Sequence, residues 1–230
     1  MSDIKNAKVI LIIAAHPDDE VLGCFGTVAR LIKEGYTAYT LILSRGKTSR
    51  GDISDSEMKQ YKNEMINANN LIGIKKVYQA DFPDNKFDSV PLLDIVQKIE
   101  EIKKIISPEI IFTHHIGDIN IDHQITHKAV LTATRPMIEE TVTTIYAMEV
   151  PSSTEWNSYS KDTIFTPNVF FDISETIKTK IKAMEEYNSE LKKYPHPRSL
   201  QHIEELARLY GSQIGINSCE RFILIRGIYK

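Results

Sequence analysis

The chain has 230 residues, 42% hydrophobic and 26% charged, proportions that exclude a disordered or fibrous protein and fit one large domain. Lys and Arg number 28 against 31 Asp and Glu, a net charge of −3, so charge gives no argument for a nucleic-acid or anionic-membrane partner. Cys24 and Cys219 match no metal-finger or redox spacing and fit a reducing, cytoplasmic setting, and no stretch reaches the roughly 18 apolar residues of a membrane span.

Val9 to Ala15 is short, β-branched and nearly continuous, the pattern of a strand buried on both faces. His16 follows directly, with no small-residue cleavage signature between, so the run is read as a strand and not a signal-peptide core. Residues 21–34 have helical spacing and end at Gly35. A strand at 38–43 leads into the polar, glycine-punctuated segment 44–52, and a helix spans Met58 to Ile72. Lys76 to Tyr78 reads as a short strand, Asp81 to Asn85 as turn chemistry, and Leu92 to Ile106 as a helix stopped by Ser107-Pro108. A strand at 110–113, a polar loop at 114–122 and a helix at about 123–133 complete the alternation.

Strand and helix alternate from residue 9 to about 133, which predicts βαβ units and a mainly parallel, Rossmann-like sheet flanked by helices. Beyond lie strands at 144–150 and 168–173, a helix with apolar positions from Ile177 to Leu191, a break at Tyr194 to Arg198, a helix at 200–210 and a closing strand near 222–225. The expectation is one α/β domain, with residues 1–135 as core and 136–230 as a C-terminal extension completing the site. The apolar patterns leave a homo-oligomer open.

In open α/β sheets ligands bind beyond the carboxyl ends of the strands. Two such ends are dense in His and Asp. His16-Pro17-Asp18-Asp19-Glu20 sets three carboxylates in a row between apolar flanks, and a cation would relieve their repulsion. A tight turn into a helix brings His16 and Asp19 to one side and leaves Asp18 free for proton transfer. The plainer alternative is a helix cap at Asp18 or Asp19 and a His16 bonded to a backbone carbonyl. In the second cluster Asp122 suits an N-cap, which places His123 and His127 at i and i+4 on one helical face; His127 also suits packing against the neighbouring strand. Nothing local assigns His114 or His115. Taken together, His16, Asp19 and His123 could converge on one Zn²⁺, with coordination positions left for water and substrate.

Ala15 to Glu20, followed by Leu22-Gly23, resembles the signature of the zinc-dependent N-deacetylases of the PIG-L/LmbE-like family. Asn120-Ile121-Asp122-His123 with His127 resembles that family's second motif, and the resemblance extends to the Arg50-Gly51 loop and the Glu220-Phe222 region. It implies one zinc per chain held by His16, Asp19 and His123, Asp18 as general base and Asp122 as an orienting neighbour. It also implies hydrolysis of an acetamido group, on an amino sugar or sugar conjugate such as an N-acetylglucosamine derivative. The family often carries a His where Asn120 stands; Asn120 can donate a hydrogen bond but cannot act as an acid near neutral pH. Further substrate contacts are expected from Arg50, Arg198 and His196, which is held between two prolines and is also a candidate second acid. Trp156 could stack on a sugar or anchor its loop. Two rival readings are a nucleotide- or sugar-binding module, which should show a glycine-rich phosphate turn after the first strand, and a phosphoesterase, which would use two metals.

Overall fold

A computed structural model of the protein describes residues 8–46, 54–158 and 160–229. Strand β1 (Val9–Ala14) lies in the middle of the sheet, paired in parallel with β2 (Thr37–Ser44) on one side and β4 (Ile110–His114) on the other. With β3 (Lys76–Phe82), β5 (Thr144–Met148), β6 (Val169–Asp172) and β7 (Cys219–Gly227) the order is β3-β2-β1-β4-β5-β7-β6, and β7 runs against both its neighbours. The expected parallel core is present, and the C-terminal strands extend the same sheet.

Period-two alternation along β1 sends side chains into two cores. Ile10 and Ile12 meet Val21 and Phe25 of α1 (Asp19–Lys33), Met65 of α2 (Asp55–Ile72), Met184 of α5 (Ile177–Glu186) and Ile203 of α6 (Leu200–Ile214). Leu11 and Ile13 meet Ile95 and Ile99 of α3 (Leu92–Ile106) and Val130 of α4 (Ile121–Ala133). Each fully buried aliphatic side chain contributes roughly 1.5–3 kcal/mol.

The C-terminal segment also grips α1 through a buried ion pair. Lys180 Nζ lies 2.6 Å from Glu220 Oε1 and donates to the Leu22 carbonyl at 2.7 Å, while Glu220 accepts from Gly26 N at 3.0 Å and Thr27 N at 2.7 Å. Main-chain groups inside α1 thereby find partners on α5 and β7.

The helix expected to run from Ile177 to Leu191 stops at Glu186. Tyr187 turns its ring into the core and donates its hydroxyl to Glu20 at 2.5 Å, and Ser189 donates to Glu64 at 2.6 Å; these contacts hold the chain in a turn. Among the described residues no helix is long and apolar enough to cross a membrane.

From β1 the chain runs outward to β3 and returns to β4 on the other side of β1. The carboxyl ends of β1 and β4 therefore flank a topological switch point, where such sheets open a crevice. Ala15 N–H donates to His114 Nε2 at 2.8 Å across that gap.

Candidate metal centre and active site

β1 ends in a turn that separates two adjacent carboxylates. Asp18 has φ 96° and ψ −28°, a left-handed conformation that costs a non-glycine residue about 1–3 kcal/mol and clusters at functional sites. Glu20 holds it there by accepting Asp18 N–H at 3.0 Å. Asp19 turns back, its Oδ2 accepting His16 N–H at 2.9 Å. Asp18 occupies the cap position of α1, but its side chain makes no cap hydrogen bond.

The start of α4 differs from the expectation. Asn120 is the N-cap, its Oδ1 accepting Asp122 N–H at 2.8 Å, while its Nδ2 donates to Asn85 Oδ1 at 3.1 Å. Asp122 sits inside the first turn and is freed from capping. It spans instead to Phe87 N at 2.9 Å and His16 Nε2 at 3.0 Å.

His16 Nδ1, Asp19 Oδ2 and His123 Nε2 form a triangle. Its edges are 3.3 Å from His16 to Asp19, 3.2 Å from His123 to Asp19 and 3.3 Å between the two rings. A tetrahedral ion about 2.0–2.1 Å from its donors requires donor separations of about 3.3 Å. The donor set, two imidazole nitrogens and a carboxylate oxygen, fits zinc.

Each ring is backed by a carboxylate on its outer nitrogen. Asp122 stands behind His16, with Asp84 Oδ1 also 3.3 Å from the same nitrogen, and Asp118 Oδ2 lies 3.1 Å from His123 Nδ1. Such partners fix ring orientation and raise ligand basicity. Asp118 and Asp84 were not among the residues expected from sequence. Asp118 is itself pinned by Asn120 N–H at 2.8 Å, Thr154 Oγ1 at 2.7 Å and the Ser153 hydroxyl. Its loop lies close against another: a Cβ on Gly117 would fall 2.2 Å from the Thr163 carbonyl oxygen.

The electrostatics follow from four carboxylates around two rings. Burial pushes His16 down, but Asp122 and Asp19 outweigh it and raise the ring to about 10; burial likewise opposes Asp19 and Asp118 at His123, which rises to about 9. Burial pushes Asp118 up, yet His123 and its hydroxyl donors bring it down to about 2. His114 behaves oppositely. Burial and the neighbouring His123 lower it to about 3, so it stays neutral, stacked on His123 with centroids 3.9 Å apart. His127 Nδ1–H donates to the His114 carbonyl at 2.8 Å, which makes it a packing partner of β4.

Asp18 faces the C-terminal extension. Arg198 Nη1 lies 3.1 Å from Asp18 Oδ2 and 3.3 Å from Glu190 Oε2, and Arg198 Nε donates to Ser152 Oγ at 2.7 Å. Burial holds Asp18 well above the usual carboxylate range, against the pull of Arg198. The guanidinium expected to contact substrate is thus engaged by the protein. His196 sits beside it, Nδ1 accepting Arg198 N–H at 3.0 Å; burial and Arg198 lower its ring. Arg50 lies outside the described residues.

Residues 11–134 match the family model described as PIG-L: GlcNAc-PI de-N-acetylase. The chain belongs to the PIG-L family. A PIG-L relative in Escherichia coli K12, the uncharacterized deacetylase YaiS, is 30% identical over 195 residues, covering 82% of this chain and 95% of that protein. Among solved structures, the N,N′-diacetylchitobiose deacetylase of Pyrococcus horikoshii is similar with a TM-score of 0.77 at 20% identity, covering 97% of this chain and 85% of that one. GalB, the 4-carboxy-2-hydroxymuconate hydratase of Pseudomonas putida KT2440, is similar with a TM-score of 0.75 at 19% identity, covering 97% and 98%. These two likenesses establish the shared fold. A deacetylase and a hydratase both stand on it, so the reaction of this PIG-L chain has to be argued from its site.

Proposed function

We propose that the protein is a zinc-dependent N-deacetylase that hydrolyses the acetamido group of an N-acetylated amino sugar or sugar conjugate. The observation that carries this reading is the triangle of His16 Nδ1, Asp19 Oδ2 and His123 Nε2 with edges of 3.2–3.3 Å, beside a buried Asp18 that is turned away from it. Deacetylase names among the relatives support the substrate class. The unpaired, buried Cys24 and Cys219 support a cytoplasmic location.

A zinc ion held by His16, Asp19 and His123 would supply Lewis acidity toward the amide carbonyl and a lowered pKa for water, from about 15.7 to about 7. Asp18 takes a proton from the attacking water and returns it to the amine nitrogen as the C–N bond breaks. Arg198, braced by Glu190 and Ser152, keeps the Asp18 carboxylate in one orientation. Asp122 and Asp118 accept the outer N–H groups of His16 and His123 and so present the inner nitrogens as donors of lone pairs. Asn120, as the α4 cap, holds Asp122 in register.

The phosphoesterase alternative would need a second ion. The second group of donors, His16, Asp84 and Asp122, shares His16 with the first and would have to strip both ring nitrogens of hydrogen, whereas the carboxylates are satisfied by an ordinary N–H. Incubation of the zinc-loaded protein with N-acetylated sugars and their conjugates, with released acetate measured, tests the proposal. Acetate release that stops on chelation and returns with zinc is expected; no release across the panel from protein carrying one zinc per chain refutes it.

A further inference from the structure

We propose that Glu155, whose carboxylate closes the turn after β5, is a positioning residue for both halves of the site. It sets the hydroxyls that hold the base through Arg198 and the zinc ligand His123 through Asp118. The inference rests on the deacetylase reading and extends it to a side chain that acts through other residues.

Val150-Pro151-Ser152-Ser153 is a turn, closed by Ser153 N–H donating to the Val150 carbonyl at 3.1 Å. Proline fixes the backbone at the second position, and the third, Ser152, has φ 71°. Turns of this form give that place to glycine or asparagine. A serine there is disfavoured and persists only where its surroundings impose the conformation. Glu155 supplies that constraint. Its Oε1 accepts Ser152 N–H at 2.6 Å and its Oε2 accepts Ser153 N–H at 3.3 Å, so one carboxylate holds two successive main-chain donors. Thr154 Oγ1 accepts Val150 N–H at 2.8 Å and ties the turn from its other end.

A glycine would suit the backbone but could not supply the hydroxyl. Ser152 Oγ accepts Arg198 Nε–H at 2.7 Å. Arg198 Nη1 meets two carboxylates, Asp18 Oδ2 at 3.1 Å and Glu190 Oε2 at 3.3 Å, and one nitrogen shared between two acceptors is a pivot. Fixing Nε as well sets the plane of the guanidinium and the edge it presents to Asp18. The next residues of the turn serve the metal side. The Ser153 hydroxyl and Thr154 Oγ1 donate to the two oxygens of Asp118, and Asp118 Oδ2 lies 3.1 Å from His123 Nδ1. Ser152, Ser153 and Thr154 are all buried. Successive residues of one turn therefore send hydroxyls to the base and to the metal ligand, and the carboxylate that fixes the turn's backbone fixes both.

Double substitution separates the two routes. Glu155→Ala should lower kcat for acetate release and zinc affinity each roughly 3–10-fold, the size of an ordinary hydrogen bond, with KM unchanged. In an Arg198→Ala background it should cost no further kcat but still weaken zinc binding; in an Asp118→Ala background it should do the reverse. Glu155→Gln, which keeps one acceptor oxygen, should lie between the parent and Glu155→Ala on both measures. A Glu155→Ala variant whose Tm falls while kcat and zinc affinity hold would overturn the proposal and leave the carboxylate a cap of its own turn. Losses that add in full in both backgrounds would overturn it as well. A parent protein that releases no acetate from any N-acetylated sugar would refute the deacetylase reading instead, and zinc competition across the Glu155 and Asp118 variants would still decide whether Glu155 acts on the metal side.

Discussion

Arg198 Nη1 lies 3.1 Å from Asp18 Oδ2 although 180 residues separate them in sequence. The pairing joins the last third of the chain to the turn after β1 and gives the proposed base a fixed orientation. Asp18→Asn should lower kcat about 10²–10⁴-fold with zinc content unchanged, measured by acetate release and metal analysis on the same sample. Loss of zinc in that variant would make Asp18 a ligand instead.

Arg198 acts through Asp18, so its removal should cost less. Arg198→Ala should lower kcat about 10–100-fold, the worth of a hydrogen bond to a charged group, with a smaller change in KM. Partial recovery with added methylguanidine would distinguish positioning from collapse of the loop. A rise in KM alone would instead make Arg198 a substrate contact.

Asp118 and Asp122 each back one ring, at 3.1 and 3.0 Å. Asp118→Ala and Asp122→Ala should each weaken zinc binding about 10–100-fold, read by competition with a chromophoric chelator. Equal affinity in either variant would remove that carboxylate from the ligand-orienting set.

His16 and His123, raised to about 10 and about 9, hold protons at pH 7 in the metal-free protein. Zinc must displace them. Calorimetry in buffers of different ionisation enthalpy should show release of about two protons per zinc at pH 7, and affinity should climb as pH rises toward 9. The sign for stability is the reverse. Because these folded-state values lie above the unfolded value of about 6.5, their contribution to metal-free stability is full below pH 6.5 and lost as pH rises through 9 and 10. A metal-free Tm that rises across that range, with zinc uptake releasing no protons, would contradict this account.

Lys180 and Glu220 form a buried pair that also satisfies α1. Lys180→Met leaves Glu220 unpaired and should cost about 3–5 kcal/mol, a Tm drop of roughly 6–20 °C for a chain of this size. Replacing Glu220 as well should restore part of it, since a neutral pair removes the stranded charge. A single variant as stable as the parent would show that the pair carries little.

The fold was legible where hydrophobic periodicity is strong. β1 is a continuous apolar run and α3 a regular amphipathic pattern, and both lie within a residue of their expected bounds. The helical spacing continues past the end of α5 through Tyr187 and Leu191, while Tyr187 is drawn inward by Glu20 and the helix stops at Glu186. In the site, His16, Asp18, Asp19 and His123 were visible as a local excess of His and Asp. Asp118 and Asp84 were not, because Asp118 lies in a loop already rich in polar residues and Asp84 is placed beside His16 by the turn after β3, a distance that spacing does not encode. Asp122 suits the α4 cap by residue type, but Asn120 takes that position, and Asp122 is released toward His16.

The most direct test of the central claim is anomalous diffraction at the zinc edge from crystals of the zinc-loaded protein. The account predicts a single peak about 2.0–2.2 Å from His16 Nδ1, Asp19 Oδ2 and His123 Nε2, with the Asp18 carboxylate outside the coordination sphere. A peak centred instead on His16 Nε2, Asp84 and Asp122, or two peaks, would contradict it.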